Sequence, residues 1–264
     1  MFMDRELSCR LERVEGIVGV TFSEVNRARG AVSQELHGTY AFFDGADSPL
    51  TQTFGLGMAE PVTPESLAAI EAFFTERGAD VMHEVSPLAG IETIALLAER
   101  GYRPLELSTV LVKPLDDSDV PAVPGLRART AESADRDVWI ETSVQGWSAD
   151  QTYGDMMRTI ATAAFANRTM VHFLVEREAQ AIATGSLAVV DDIALLAGAS
   201  TVPAGRGLGA QTLLLGARLA EARHRGCAIA MMVANPGSTS QRNAERRGFR
   251  VAYTRTKWRL ARRA

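Results

Sequence analysis

The sequence predicts an α/β (α+β) protein made of two similar domains, and three observations lead to this prediction. Short apolar strands alternate with amphipathic helices along the whole chain, which is typical of mixed α/β folds. An acidic, proline-rich segment without periodicity, residues 116–125, lies near the middle and is typical of a linker. Matching helix–strand patterns occur on both sides of this segment. We therefore expect a domain over 1–115, a linker over 116–125 and a domain over 126–264.

The elements of the first half follow from hydrophobic period and capping signals. A helical pattern opens the chain near residues 3–14. A second helix starts at Thr63-Pro64-Glu65, with a hydroxyl at the N-cap, proline at the first helical position and a carboxylate in the first turn. This helix is expected to end at Gly78. The other predicted elements are strands over 38–45, 50–57, 79–85 and 105–115, and a helix over 91–100.

The second half is predicted to contain a longer series of the same elements. The apolar run 227–234 is typical of a strand that is buried on both faces. The full order is a strand over 126–130, helices over 132–145 and 149–166, three strands within 169–202 with turns at 177–180 and 190–192, a helix over 209–225, the strand over 227–234, a helix over 238–247 and a strand over 249–258.

Two segments of the first half recur in the second half. ERGADVMHEVSP resembles RHRGCAIAMMVANP, and AERGYRPLELSTVLVK resembles AERRGFRVAYTRTKW. In each pair a glycine stands between a helix and a strand. The paired glycines are Gly78 with Gly226 and Gly101 with Gly248, which are 148 and 147 residues apart. Two matches at nearly the same offset indicate a duplicated β-α-β-α-β unit.

Composition and charge exclude several classes of function. Hydrophobic residues make up 46% and charged residues 23%, the usual values for a globular protein, and the net charge of −4 gives no basic patch for nucleic acid. Cys9 and Cys227 lie far apart and the four histidines are scattered, so we expect no metal site. No stretch approaches the roughly 20 apolar residues of a membrane span, and the N-terminus lacks a signal-peptide run. We expect a cytoplasmic protein without a nucleic-acid or membrane partner, and a homodimer stays open.

A glycine-rich segment, VPAGRGLGAQTLL over 202–214, joins a predicted strand to a predicted helix. Gly205, Gly207 and Gly209 allow successive backbone N–H groups to face one ligand at a helix N-terminus, and Arg206 adds a guanidinium suited to a phosphate. A tight turn alone would explain one glycine. A P-loop needs GxxxxGK[ST], and a dinucleotide fold needs GxGxxG with a later acidic residue, and neither pattern is present. The segment therefore indicates an anion site, and a nucleotide-binding module is the weakest interpretation of it.

The second half resembles the GNAT superfamily of N-acyltransferases, whose pyrophosphate loop follows the pattern Gln/Arg-x-x-Gly-x-Gly/Ala. The run Arg206-Gly207-Leu208-Gly209-Ala210-Gln211 aligns with this pattern, except that Gln211 replaces the final small residue. The alternative register, Ala204-x-x-Gly207-x-Gly209, restores that glycine and loses the arginine. The resemblance extends over about 126–258 and includes the order of the elements and the Arg-Gly-Phe run 247–249.

The resemblance implies an N-acetyltransferase that uses acetyl-CoA, without a metal, to acylate a small-molecule or peptide amine in a ternary complex. It implies tandem GNAT-like domains, each with a mixed, mostly antiparallel sheet flanked by helices. The first half resembles a degenerate copy, because its GLGMAEP loop (55–61) lacks the arginine. The cofactor-binding residues it implies are Ser200, Thr201 and Val202 for the pantetheine arm and Arg206, Gly207, Leu208, Gly209, Ala210 and Gln211 for the pyrophosphate. Asn243 is a further candidate for contacts to pantetheine or adenosine groups, although an asparagine there also suits a cap.

Acyl transfer also requires a proton donor for the leaving thiolate and a pocket for the acceptor. Many family members donate from a tyrosine four residues before the Gly-Phe pair, where this chain has Ala244. Ser240 and Tyr253 are the candidate catalytic residues, although a serine here also suits a helix N-cap and a tyrosine also suits a half-buried strand. The predicted acceptor-site residues are Glu141, Trp147 and Tyr153, although Glu141 also suits a solvated helix face and the two aromatics also suit packing between helices. The missing tyrosine leaves a second function open, a non-catalytic acyl-CoA-binding sensor or scaffold.

Overall fold

The structure is a computed structural model that describes residues 2–115, 121–147 and 151–262. The α-helices of the described chain are α1 (Arg5–Val25), α2 (Pro64–Thr75), α3 (Ile91–Glu99), α4 (Arg136–Trp147), α5 (Gln151–Ala166), α6 (Ala210–His224) and α7 (Thr239–Glu245). Residues 116–120 of the predicted linker and 149–150 of a predicted helix lie outside the described residues.

The strands complete the predicted alternation of elements. They are β1 (Val32–Leu36), β2 (Thr39–Phe43), β3 (Gln52–Phe54), β4 (Val81–Val85), β5 (Arg103–Pro114), β6 (Leu126–Thr130), β7 (Met170–Arg177), β8 (Gln180–Val190), β9 (Ile193–Thr201), β10 (Ile229–Ala234) and β11 (Arg250–Leu260).

The chain divides into two compact units that do not simply follow chain order. The first unit comprises Met1–Val112 together with Val233–Ala264, and the second comprises Lys113–Met232. The passage from the first unit to the second lies close to the predicted linker. The return to the first unit at Val233 has no counterpart in the predicted domains, because it depends on where α7 and β11 pack and not on local sequence.

Each unit contains a mixed sheet. In the first unit the strand order is β1-β2-β3-β4-β11-β5, in which β3 and β4 are parallel and the other neighbours are antiparallel. In the second unit the order is β10-β9-β8-β7-β6, in which β9 and β10 are parallel and the others are antiparallel. The sheets are therefore mostly antiparallel, as predicted.

Four helices end in the same way, at the positions that the sequence repeat predicts. The glycines that follow them are Gly78, Gly101, Gly226 and Gly248, and all have left-handed φ between 68° and 86°. The residue after each glycine is buried and donates its N–H to the carbonyl five residues earlier, as Tyr102 does to Leu97 at 3.0 Å. This is the Schellman motif, which needs glycine because the left-handed region disfavours side chains. Its fourfold occurrence supports the predicted duplication.

The first unit departs from the sequence prediction near its N-terminus. The first helix runs to Val25 and not to residue 14, because Gly16 and Gly19 leave no Cβ to overlap the rings of Tyr40 and Phe42. The strand β1 was not predicted. It forms a hairpin with β2 through His37 and Gly38, whose φ values of 50° and 69° match a type I′ turn.

Strand β11 carries charged side chains into the interior of the first unit. The guanidinium of Arg255, 3% exposed, pairs with three carboxylates from α1 and β4. They are Glu12 at 3.3 Å, Glu15 at 2.7 Å and Glu84 at 3.0 Å. The Tyr253 hydroxyl donates to Oε1 of Glu12 at 2.7 Å. Removing one partner of a buried ion pair costs about 3–5 kcal/mol, so Arg255 of β11 stabilises these three carboxylates of the first unit.

The buried network makes the stability of the first unit dependent on pH. Burial raises the pKa of Glu12 from 4.5 to about 7, against the opposing effect of Arg255. The folded state therefore binds this proton more tightly than the unfolded state. The resulting stabilisation is complete below pH 4.5 and is lost as the pH rises to about 7. Buried His83 and His172, whose pKa values are lowered by burial to about 3 and about 4, contribute the opposite trend in the wild type and in any Glu12 variant. We therefore expect the free energy of unfolding of the wild type, measured relative to that of Glu12→Gln, to fall over this interval.

Chemical denaturation at a series of pH values measures both free energies. Glu6→Gln is the matched control, because Glu6 lies on the same helix and is exposed. A Glu12→Gln slope equal to those of the wild type and the control would contradict the prediction.

Candidate functional site

Strands β9 and β10 begin as parallel neighbours and then separate. Their ladder runs from Ile193↔Ile229 to Leu195↔Met231. Strand β9 continues to Thr201. The part of β9 after Leu195 therefore has a backbone edge that β10 does not pair with, and we call this part the uncovered edge of β9.

A β-bulge lies within the uncovered edge. Strands β8 and β9 pair at Ser186↔Ala197 and next at Thr184↔Ser200, so β9 has one residue more than β8 between these pairs. Gly198 supplies the turn with a left-handed φ of 61°. The bulge takes the backbone between Ala197 and Ser200 out of the regular ladder.

The alternation of backbone groups decides which amides face the uncovered edge. Val202 donates its N–H to the Ile182 carbonyl at 3.0 Å, and Ser200, two residues earlier, faces β8 in the same way. Thr201 lies between them and directs its N–H and C=O away from β8. Of the three residues predicted to bind pantetheine, Thr201 is therefore the one whose amide faces the uncovered edge.

The loop after β9 uses its three glycines for two different reasons. Gly205 is buried, and a Cβ there would lie 3.0 Å from the Cβ of Ile182 and 3.2 Å from its carbonyl oxygen. Gly207 and Gly209 have left-handed φ values of 78° and 86°. Close packing therefore requires Gly205, and backbone direction requires the other two.

Helix α6 starts without a side-chain cap within the described chain. Its N-cap is Gly209, which has no side chain to accept from the first turn. The first N–H groups of a helix have no acceptor within the helix, and the helix dipole gives this end partial positive charge. Ala210 and Gln211 open the helix, so the predicted anion-binding segment coincides with an uncapped N-terminus.

Arg206 lies exposed in the same loop. Its Nε donates to the Thr201 carbonyl at 3.4 Å, and its Nη2 donates to the Gly146 carbonyl at 3.3 Å. Both bonds are long and both acceptors are neutral, and no carboxylate of the described residues pairs with this guanidinium. A phosphate would be a stronger acceptor than either carbonyl.

Gln211 stands where the GNAT pattern has a small residue, and its side chain has a structural role. Its Nε2 donates to the Ser200 carbonyl at 3.0 Å and to Oγ1 of Thr201 at 2.7 Å. The amide side chain therefore folds back onto the end of β9. The hydrogen bonds of Gln211, the residue that departs from the GNAT pattern, join the start of α6 to the end of β9.

In the first unit, the protein itself provides hydrogen-bond partners for the corresponding loop and helix N-terminus. Helix α2 begins with a capping box between Thr63 and Ser66, and Pro64 at its first position has no N–H. In the preceding loop Gly57 is buried, and its carbonyl accepts from Nη2 of Arg5 at 2.7 Å. The helix N-terminus that stays uncapped in α6 is thus satisfied by the protein itself in α2.

The candidate catalytic residues have different environments, and both belong to the first unit. Ser240 is exposed in the first turn of α7, and the N-cap is Ser238, whose hydroxyl accepts from the Gln241 N–H at 3.2 Å. Tyr253 is 6% exposed and bonded to Glu12.

Two further positions on α7 bear on the predicted chemistry. Ala244, which replaces the family's tyrosine, is 1% exposed. Asn243 is half-buried. The Ser240 hydroxyl is therefore accessible, whereas the Tyr253 hydroxyl is hydrogen-bonded to Glu12 inside the first unit.

The predicted acceptor-site residues lie on α4 and α5. Glu141 forms an ion pair with Arg158 at 2.8 Å, and this bond holds the pKa of the carboxyl below its usual value. Trp147, 42% exposed, ends α4, and Tyr153 is 37% exposed on α5. Residues 148–150 between the two aromatics lie outside the described residues. Glu141 is thus a paired surface carboxylate, and the two aromatics are accessible.

Sequence reasoning missed two features of this region. The β-bulge could have been predicted from the sequence, because an isolated glycine inside a strand pattern, here Gly198, often marks a bulge. The second feature is the buried position of Arg218 on α6, which no pattern in the sequence predicts. Arg218 is 2% exposed, and its Nη1 lies 3.4 Å from the Ser186 carbonyl oxygen and 3.5 Å from that of Ala197. Burial lowers the pKa of this guanidinium to about 10.

The residues that the structure describes contain neither a metal-ion cluster nor a membrane-spanning helix. No group of three or more His, Cys, Asp or Glu side chains is arranged to hold a metal ion. No helix combines the length and the hydropathy that crossing a bilayer requires.

Comparisons with known proteins give matches at the level of structure. No protein-family model and no curated protein sequence matches this chain. A GCN5-related N-acetyltransferase from Kribbella flavida superposes with a TM-score of 0.68 at 17% identity, covering 96% of this chain and 95% of that chain. A tandem GNAT protein from the clavulanic acid biosynthesis pathway gives 0.61 at 15% identity, with 88% and 83% covered. A GCN5-related N-acetyltransferase from Sphaerobacter thermophilus gives 0.59 at 15% identity, with 89% and 76% covered.

At these identities the similarity establishes the fold. It extends over most of both chains, and one neighbour is itself described as a tandem GNAT protein. The predicted fold class is therefore confirmed, and the chain has the fold of the GCN5-related N-acetyltransferases in its tandem form.

Proposed function

We propose that the second unit binds acetyl-CoA and that the protein transfers its acetyl group to the amine of a small molecule or peptide. The observation that carries this proposal is the uncapped N-terminus of α6 beside the uncovered edge of β9. The start of α6, which has no side-chain cap, adjoins the Thr201 backbone there, and the two together suit one extended ligand that has an anionic part and an amide-containing part.

The pyrophosphate of CoA fits the loop before α6. Its charge would be stabilised by the helix dipole and by the backbone N–H groups between Arg206 and Gln211. The Arg206 guanidinium, which now donates to two carbonyls at 3.3 and 3.4 Å, would exchange these neutral acceptors for phosphate oxygens.

The pantetheine arm fits the uncovered edge of β9. Its amides can pair with the Thr201 backbone as an added strand would, and the bulge at Gly198 lies further along the same edge. We keep Asn243 as a proposed contact to pantetheine or adenosine groups.

The reaction we propose is direct attack of the amine nitrogen on the thioester carbon. A C–N bond forms, the C–S bond breaks, water or a base removes a proton from the nitrogen, and the thiolate receives a proton. Positioning and stabilisation of the developing oxyanion supply most of the acceleration in such a transfer. The acceptor would lie near the exposed aromatics Trp147 and Tyr153, while Glu141 stays paired with Arg158.

We assign protonation of the thiolate to Ser240. Its hydroxyl is exposed and Ser238 has the N-cap role, whereas the Tyr253 hydroxyl donates to buried Glu12. A hydroxyl that donates to a buried carboxylate is not available to a leaving group without breaking the network around Arg255.

Reversing the charge of the loop should weaken acetyl-CoA binding. We expect Arg206→Glu to raise the dissociation constant by about 10- to 100-fold, because a carboxylate would replace a charge-assisted donor beside the pyrophosphate. Isothermal titration calorimetry measures the constant. Arg177→Glu, an exposed arginine of the same unit, is the matched control. Equal affinity in the wild type and Arg206→Glu would exclude this loop as the pyrophosphate site.

The protein should bind one equivalent of acetyl-CoA per chain. The reason is that α2 of the first unit satisfies its N-terminus with Thr63 and Ser66, while α6 does not. The same calorimetric titration gives the stoichiometry. Two equivalents of similar affinity would show that the first unit retains a working donor site.

Removing the Ser240 hydroxyl should slow turnover without weakening donor binding. We expect Ser240→Ala to lower kcat by about 100-fold if general acid catalysis is lost, with the acetyl-CoA dissociation constant unchanged. Thiol release from acetyl-CoA in the presence of a panel of amines measures kcat. An unchanged kcat would remove Ser240 from the mechanism, and the neighbouring exposed Thr239→Ala controls for disturbance of α7.

A second function rests on a specific observation, namely that Ala244 is buried where the family's tyrosine would stand. A protein without a proton donor could bind acyl-CoA as a sensor or scaffold. Calorimetric binding of acetyl-CoA without thiol release on any amine would favour this function over the transferase.

A further inference from the structure

Arg218 is a buried cation without a carboxylate partner among the described residues. It projects from α6 and is 2% exposed, and its Nε has no hydrogen-bond acceptor. The only acceptors near its guanidinium in the described chain are two backbone carbonyls, those of Ser186 and Ala197, at 3.4 and 3.5 Å from Nη1. Burying a charge without a counter-ion is unfavourable, so its presence here requires an explanation.

The glycine at position 185 leaves space for the guanidinium of Arg218. A Cβ on Gly185 would lie 3.2 Å from both the Cζ and the Nη1 of Arg218. Gly185 lies in β8 at the point where the pairing with β9 shifts by one residue. The absence of a side chain at Gly185 therefore brings the charge against the sheet at the bulge.

The peptide bond between Ala197 and Gly198 links this charge to the uncovered edge. Ser186 and Ala197 are paired, and both of their carbonyls lie within reach of the same Nη1, so the Ala197 carbonyl points toward β8. The peptide is trans, so its N–H, which belongs to Gly198, points in the opposite direction, away from β8. The cation is thus on one side of the peptide group and the uncovered edge of β9 is on the other.

We propose that Arg218 is a positioning residue that polarises the Ala197–Gly198 peptide, so that the Gly198 N–H becomes a stronger donor to the thioester carbonyl of the acyl donor. A hydrogen bond to a peptide carbonyl shifts electron density toward the oxygen and strengthens donation by the N–H of the same peptide group. A buried cation polarises more strongly than a neutral donor, because the surrounding dielectric constant is low. This inference rests on the proposed acetyl-CoA site.

A purely structural role for Arg218 and the proposed polarising role predict different results for variants at this position. Replacing a buried, unpaired charge by an apolar side chain of similar size is neutral or stabilising. We therefore expect Arg218→Met to keep or raise the unfolding temperature and to leave the affinity for CoA, which lacks the acetyl group, unchanged. We expect the same variant to lower kcat by about tenfold, less than the loss of a whole oxyanion donor. Arg218→Lys, which keeps the charge, should recover part of the rate.

A spectroscopic measurement tests the polarisation without requiring turnover. The probe is the ketone analogue of acetyl-CoA in which a methylene replaces the sulfur, carrying ¹³C at its carbonyl. Its carbonyl stretching frequency in the bound state should be lower in the wild type than in Arg218→Met, and Arg218→Lys should be intermediate. Arg225→Met, which removes an exposed cation from the end of the same helix, is the matched control and should equal the wild type.

The outcomes separate this inference from the proposed function. If the wild type binds neither acetyl-CoA nor the analogue, the proposed function fails and this inference fails with it. If the wild type binds and Arg218→Met shows the same carbonyl frequency and the same kcat, only the role of Arg218 is excluded. If Arg218→Met does not fold, Arg218→Gln replaces it, and an unfolded Arg218→Gln would show that the guanidinium is structural and would overturn the proposal.

Discussion

The left-handed turn at Gly198 is the constraint on which the proposed donor site depends. It adds one residue to β9, so that Ala197 and Ser200 both stay paired with β8 while the backbone between them leaves the ladder. Beyond Leu195 the same strand is no longer paired with β10. An unpaired strand edge is normally a hazard that proteins protect. Here it adjoins a helix N-terminus that also lacks a side-chain cap, and the acetyl-CoA that we propose would contact both.

The two units share one strand arrangement and differ in the side chains at the helix that follows. Both units have parallel strands that pair only briefly, Thr53↔His83 in the first and Ile193 to Leu195 with β10 in the second. In the first unit the helix that follows is capped by Thr63 and Ser66. The brief parallel pairing is therefore common to both units, while the capping of the helix differs between them.

Local signals explain what could be predicted from the sequence. Thr63-Pro64 fixed the start of α2, and the glycines after four helices fixed their ends, because caps depend on a few adjacent residues. The glycine-rich loop was located for the same reason. The membership of β11 in the first unit could not be predicted, because it depends on Arg255 meeting carboxylates more than 170 residues away in sequence. The inward position of Arg218 also depends on tertiary packing, since nothing adjacent to it marks a buried charge.

The two arginines that are buried in the described part of the chain differ in whether their charge is paired. Arg255 has three carboxylate partners, and its charge is balanced within the first unit. Arg218 is buried to the same extent in the second unit and has only carbonyl acceptors among the described residues. A protein stabilised by burial alone would replace such a group with an apolar residue, which packs at lower cost. The role that we propose accounts for Arg218, because its field acts on the backbone at the bulge, where the proposed reaction would develop negative charge.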